Sequence, residues 1–102
     1  MSNDVTTFAP SGGTAVIAAT TVSGSAVLPF GSAAAGNNIR VYNDGPSLVF
    51  IKIGTGTVTA SVTSIPLPVG AVEVLSKGAN DTVAAVTLSA TANVYVTPGN
   101  GN

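Results

Sequence analysis

The chain has 102 residues, a net charge of −1, no histidine and no cysteine, and charged side chains make up only 7% of it. That composition excludes thiol chemistry, thiolate metal sites and any Ser-His-Asp or Cys-His arrangement. Three basic residues are also too few to build an electrostatic surface for nucleic acid or anionic lipid.

One domain with one core fits the length. Its polar surface must come mostly from Ser, Thr, Asn and Gly, because charge is so scarce. The head, MSNDVTTF, lacks the basic and apolar regions of a secretory signal, and residues 1–13 read as a mobile arm. No charge falls between Asp4 and Arg40, yet Thr, Ser, Gly and Pro interrupt TAVIAATTVSGSAVLPF too often for a membrane span of about 20 apolar residues.

Gly and Pro recur about every ten residues with Val, Ile and Thr between them, the spacing of an all-β sandwich or barrel. Strands are expected over 14–20, 25–30, 38–43, 47–53, 57–62, 71–76, 82–88 and 92–97. The expected fold is all-β: a single-domain β-sandwich over residues 14–98, jelly-roll-like, with about eight short antiparallel strands. In 38–43, Ile39 and Val41 share one face while Arg40 and Tyr42 share the other. Asp44-Gly45 would suit a tight hairpin turn, but Pro46 has no N–H to close it and pushes Gly45 toward extended geometry. A wider loop from Asn43 to Ser47, carrying the chain between sheets, is expected instead.

Both faces of 47–53 are apolar. Val49, Ile51 and Ile53 line one, and Leu48 and Phe50 flank Lys52 on the other, so the strand is covered on both sides or meets a partner. In 57–62, Val58, Ala60 and Val62 face inward if Thr57, Thr59 and Ser61 face water. The prolines of IPLP, 65–68, suit an edge and exclude a central strand. Glu73, between Val72 and Val74, marks an outward face. SKGAND (76–81) and SATA (89–92) read as turns, and the tail, 99–102, as mobile.

Four carboxylates remain for chemistry: Asp4, Asp44, Glu73 and Asp81. Asp44 and Asp81 fall in expected turns, where such side chains usually bond nearby backbone. Asn43 with Asp44, or Asn80 with Asp81, offers hard oxygen ligands for calcium, but no loop has the repeated acidic spacing that gathers six or more oxygens. SGG and GTGT lack the Lys-Ser/Thr end of a phosphate loop. Asn80-Asp81-Thr82 matches a glycosylation sequon, here without a secretory signal. No enzymatic activity, cofactor or metal is expected. Tyr42 and Tyr95 are the only tyrosines; on an outward face they suit a sugar or a protein partner, and inward they would cap the core.

Together, IRVYNDGPSLVFIKIGTGTVTA, PLPVGAVEVLSKGANDTVAAVT and ATANVYVTPGNG resemble small virion proteins of tailed bacteriophages, over residues 38–100. The resemblance implies a head decoration or cement protein of sandwich or jelly-roll type, often trimeric, seated on the capsid lattice. Its implied partners are the major capsid protein and copies of itself, with no nucleic acid and no membrane. Its implied location is the capsid surface, after synthesis in the host cytoplasm. The resemblance brings no catalytic residues. Candidate interface residues are Phe8, Arg40, Tyr42, Leu48, Phe50, Lys52 and Tyr95. The alternative is a receptor- or glycan-binding β-domain of a tail fibre or baseplate, with Tyr42 or Tyr95 as stacking platforms.

Overall fold

Segments rich in Val, Ile, Ala and Thr between Gly and Pro breaks become short strands, and in the computed structural model they pair in a nested order. The structure describes residues 8–10, 13–27 and 37–100. Their strands are β1 (Ala9–Pro10), β2 (Ala15–Ala19), β3 (Gly24–Val27), β4 (Asn38–Pro46), β5 (Val49–Gly54), β6 (Ile65–Leu67), β7 (Val72–Ser76), β8 (Thr82–Thr87) and β9 (Ala92–Asn100), with no helix among the described residues. β5 pairs with β6, β4 with β7, β3 with β8 and β2 with β9, every pair antiparallel. The chain is thus one long hairpin whose tip is the β5–β6 connection. It is rolled so that successive pairs alternate between two sheets, β2-β9-β4-β7 and β3-β8-β5-β6. This is the jelly-roll order of an all-β sandwich.

Alternation along each strand fills the space between the sheets. Ile17, Ala19, Ile39, Val41, Val94 and Val96 from the first sheet meet Val49, Ile51, Leu67, Val83 and Ala85 from the second. Ile39 and Val41 are buried while Arg40 between them is exposed, as the alternation predicts. β8 is buried at every position, because a second, smaller core covers its other face. There Phe50, Ala84 and Val86 pack with Ala60 and Val58 from the β5–β6 connection. The two apolar faces of β5 are therefore both covered within the chain, and Phe50, a candidate interface residue, belongs to a core.

Four expectations need correction, the last at the β4–β5 crossing. Residues 57–62 form no strand. Serine side chains take up backbone N–H groups there in place of a ladder: Ser61 Oγ accepts from the Thr63 N–H and Ser64 Oγ from the Ser61 N–H, both locally, and the distant Ser23 Oγ accepts from the Ala60 N–H. Val62, expected inward, is exposed. Secondly, Glu73 pairs with Val41 and Leu75 with Ile39, so Glu73 lies on the core side of edge strand β7 while Val72 and Val74 take the outer side. Thirdly, Ala9–Pro10 pairs with Asn100 and Gly99, so part of the expected arm and tail belongs to the first sheet. Gly99 permits that approach, since a Cβ there would strike the Ala9 carbonyl oxygen and the Phe8 ring. The rest of the arm (1–7, 11–12), positions 28–30 of the expected second strand, and 101–102 lie outside the described residues.

The expected loop at Asn43 to Ser47 is instead strand as far as Pro46, with a bulge between Asn43 and Gly45 where β4 follows β9. Gly45 has a φ of +85°, open to glycine and strained for other residues, and a Cβ there would also meet Val69 Cγ1 at 2.8 Å. The crossing to the second sheet follows at Ser47 and Leu48. Its anchor is Asn43, fully buried. The Asn43 amide donates to the Ser47 and Leu67 carbonyls, both at 2.8 Å, and its Oδ1 accepts from the Gly45 N–H at 2.8 Å. Its backbone N–H donates to the Ala71 carbonyl, and its carbonyl accepts from the Gly70 N–H. IPLP supplies β6, an edge strand as expected.

Asn43→Ala leaves two carbonyls and one N–H without their partner, one bond each to the β4 bulge, the β4–β5 crossing and β6. We expect a loss of about 2–4 kcal/mol in urea unfolding, with Asn43→Asp no better because it removes both donors and buries charge. Ala90 sits at φ 64°, a left-handed position that costs a non-glycine residue about 1 kcal/mol or more. Ala90→Gly should therefore raise the urea midpoint slightly, whereas Gly45→Ala should lower it.

Candidate functional site

Among the described residues nothing covers the outer face of the first sheet along β2, β9, β4 and β7, and the register decides what it displays. Val16 pairs with Tyr95, Tyr95 with Tyr42, and Tyr42 with Val72. Paired residues share a face, so these four side chains form one apolar and aromatic row across the sheet, from β2 to β7. Val16 and Val72 are exposed, and the two tyrosines half-buried. The tyrosine rings stack with centroids 6.2 Å apart at an interplanar angle of 27°, within the range of favourable aromatic pairs.

Polar groups flank the row. On one side Arg40 pairs with Thr97, whose hydroxyl lies 2.7 Å from that of Thr14. On the other, Asp44 accepts a hydrogen bond from the Tyr42 hydroxyl at 3.1 Å. That bond, with the negative charge of Asp44, raises the pKa of Tyr42 above its ordinary value of 10.0. Thr14, Arg40, Tyr42, Asp44, Tyr95 and Thr97 line a shallow depression. The described residues contain six charged side chains, Arg40, Asp44, Lys52, Glu73, Lys77 and Asp81, and only Arg40 and Asp44 stand on this face.

A second surface lies at one end of the sandwich. Ala19 pairs with Ala92, Pro46 with Ala92, Val49 with both Leu67 and Thr87, and Gly24 with Ala85. The connections 20–23, 47–48, 68–71 and 88–91 therefore gather at that end. They contain no charged residue, and they carry the exposed Val22, Leu48, Val69 and Leu88, one on each.

The structure thus brings Arg40, Tyr42 and Tyr95 onto one face and sets Leu48 at the loop end. Lys52 is exposed on the far sheet, beside a shallow depression lined by Ser61, Thr63, Ser64 and Ile65. Phe8 rests over Gly99, and Phe50 is covered by the β5–β6 connection. Thr14, Val16, Asp44, Val72 and Thr97 complete the face although sequence reasoning did not select them. Alternation could mark each as outward on its own strand, but their assembly into one surface depends on long-range register.

Neither pair of oxygen ligands weighed for calcium gathers around a cation site. Asn43 is spent on backbone, Asp44 accepts from Tyr42, Asn80 Oδ1 accepts from Thr55 at 2.8 Å, and Asp81 accepts from Thr82 at 2.9 Å. Among the described residues no three His, Cys, Asp or Glu are grouped to hold a metal.

With two tyrosines in the chain, absorbance near 295 nm reads both phenols. Tyr42 should ionise above the ordinary phenol range. Asp44→Ala should bring it down, by removing first the hydrogen bond and then the charge, and Tyr95→Phe identifies which phenol moved. Because the folded-state pKa is the raised one, the contribution to stability is complete below about pH 10 and fades as pH rises through the folded value. An unchanged titration in Asp44→Ala would show that the Tyr42–Asp44 contact does not form in solution.

Compared with known protein families, curated proteins and solved structures, the chain finds no match.

Proposed function

We propose that this chain is a structural virion protein that decorates and stabilises a bacteriophage capsid, associating with copies of itself and bridging neighbouring capsid subunits. The observation that carries this reading is where the exposed apolar side chains lie. Of the nine large ones among the described residues, Val16 and Val72 belong to the open sheet face and Val22, Leu48, Val69 and Leu88 to the loop end, two separate surfaces on one small domain. A protein that joins bodies into a lattice needs more than one adhesive surface. Large exposed apolar area on a monomer is otherwise a liability.

Energetics favour the same reading. Weakly charged surfaces lose little hydration when covered, so contact through Val, Leu and Tyr needs few compensating ion pairs. A protein that binds only the assembled shell stabilises it by mass action, about 2.7 kcal/mol per site at a free concentration one hundred times Kd. The sequence resemblance over residues 38–100 supplies the virion setting, and the reading involves no catalytic step.

The jelly-roll order is shared by capsid proteins and lectins, so fold alone does not choose between assembly and sugar binding. The stacked tyrosines beside Arg40 and Asp44 favour the second reading, a glycan-binding domain of a tail fibre. Copy number separates the two. Quantitative mass spectrometry of purified virions should find hundreds of copies per particle, and Val22→Asp with Leu88→Asp should lower that occupancy without unfolding the domain. A few copies, clustered at the tail, would transfer the case to the glycan reading, and none would end both.

A further inference from the structure

The sheet face has an internal symmetry that names its occupant. Arg40 and Asp44 stand on the same face of β4, on opposite sides of Tyr42: Arg40 two residues before it, about 6–7 Å along the strand, and Asp44 two residues after it in the bulge, somewhat nearer, which makes the symmetry approximate. The row Val16–Tyr95–Tyr42–Val72 crosses the strands between them. Consider a two-fold axis lying along that row, perpendicular to the strands. The rotation lays the face of one copy on the same face of another with strands reversed. Each residue of the row then meets its own counterpart, and Arg40 of each copy meets Asp44 of the other, twice. Thr97, beside Arg40, meets Asn93, two positions away on the other side of Tyr95.

We propose that the open face of the first sheet is a self-complementary, two-fold surface whose occupant is a second copy of this chain. It is an isologous contact, in which residue i meets j and j meets i. The charges support it: the face is neutral, its two charges have opposite sign, and the symmetry superposes them. The footprint supports it too. The nine-residue β4 and β9 run about 30 Å and the five-residue β2 and β7 about 17 Å, which at about 4.8 Å per strand gives roughly 450 Å² in projection and more with side-chain relief, against about 800 Å² per partner in a standard interface. Aromatic residues at the centre with charges toward the margin match the usual anatomy of such a contact.

Edge-to-edge pairing is a weaker route. Glu73 points to the core side of edge strand β7, and Pro66 interrupts edge strand β6, devices that discourage strand addition. The two-fold contact rests on the self-association part of the proposed function and is independent of the virion. It also departs from the trimer implied by the resemblance, since a three-fold ring needs a head-to-tail contact that this surface does not provide.

Sedimentation equilibrium of the full chain tests it by charge exchange. The wild type should dimerise, and Arg40→Asp or Asp44→Arg alone should weaken dimerisation at least tenfold by setting like charges against each other. An equimolar mixture of those two variants should recover a heterodimer, because every facing pair is again opposite. Val16→Lys, which sets like charges on the axis at an exposed position, should also disrupt the dimer and serves if a β4 variant fails to fold. A wild type that stays monomeric at millimolar concentration overturns the proposal. So does association untouched by all three substitutions, a trimer, or a saccharide that saturates the tyrosine signals of a monomer. Decoration of particles by a solution monomer would remove the two-fold face and leave the virion reading standing; a charge-dependent dimer absent from virions would do the reverse.

Discussion

A single buried amide holds the arrangement together. Asn43 has every polar atom engaged, and its partners lie on three different stretches: its own bulge, the β4–β5 crossing, and the segment from the end of β6 to the start of β7. A buried amide left partly unpaired would cost more than an apolar residue in its place, so the network favours the one geometry that satisfies it. In that geometry β4 runs on past the bulge to Pro46 before crossing. The prolongation keeps β4 beside β9, places β5 in the opposite sheet, and leaves Arg40, Tyr42 and Asp44 in line on the open face. The surface and its anchor are two sides of one strand.

The scarcity of charge acquires a spatial meaning in that setting. Lys77 is buried in the turn after β7, its Nζ donating to the Gly78 carbonyl at 3.1 Å, Glu73 guards an edge, and Asp81 holds the neighbouring Thr82 hydroxyl. Lys52 stands on the far sheet, and what remains for the sheet face is one cation and one anion, on either side of two tyrosines. At the loop end there is none. Charge here guards edges and sets register, while apolar and aromatic contact supplies area. That division suits the proposed role, in which the molecule acts through shape.

Much of this was legible in the amino-acid order. The alternation of Ile39, Arg40, Val41 and Tyr42 identifies the buried and open sides of β4, and the prolines of IPLP identify an edge. The doubly apolar character of Val49 to Ile53 foretells cover on both faces. What escaped is non-local or competitive. Val58 to Val62 has a strand's alternation, but Ser61 and Ser64 offer side-chain oxygens that meet the backbone locally and leave it unpaired with any strand. Glu73 lies on the core side because β7 is registered against Val41, and its charge tolerates that position only at an edge. Asp44-Gly45-Pro46 carries the marks of a turn, yet Asn43 makes it a bulge through partners about 25 residues away in sequence. The candidate site was half legible for the same reason: Tyr42 and Tyr95 were visible as residues, but the row that joins them to Val16 and Val72 exists only once register is set.

The central claim, that this molecule acts by covering its sheet face, can be read from the two tyrosines, both of which lie on that face. Chemical modification of tyrosine, followed residue by residue by mass spectrometry, compares the dilute chain with the same chain in its assembled state. The account predicts that Tyr42 and Tyr95 both react in dilute solution and are both protected on assembly. Equal reactivity in the two states would show that the assembled protein leaves this face bare, and would contradict it.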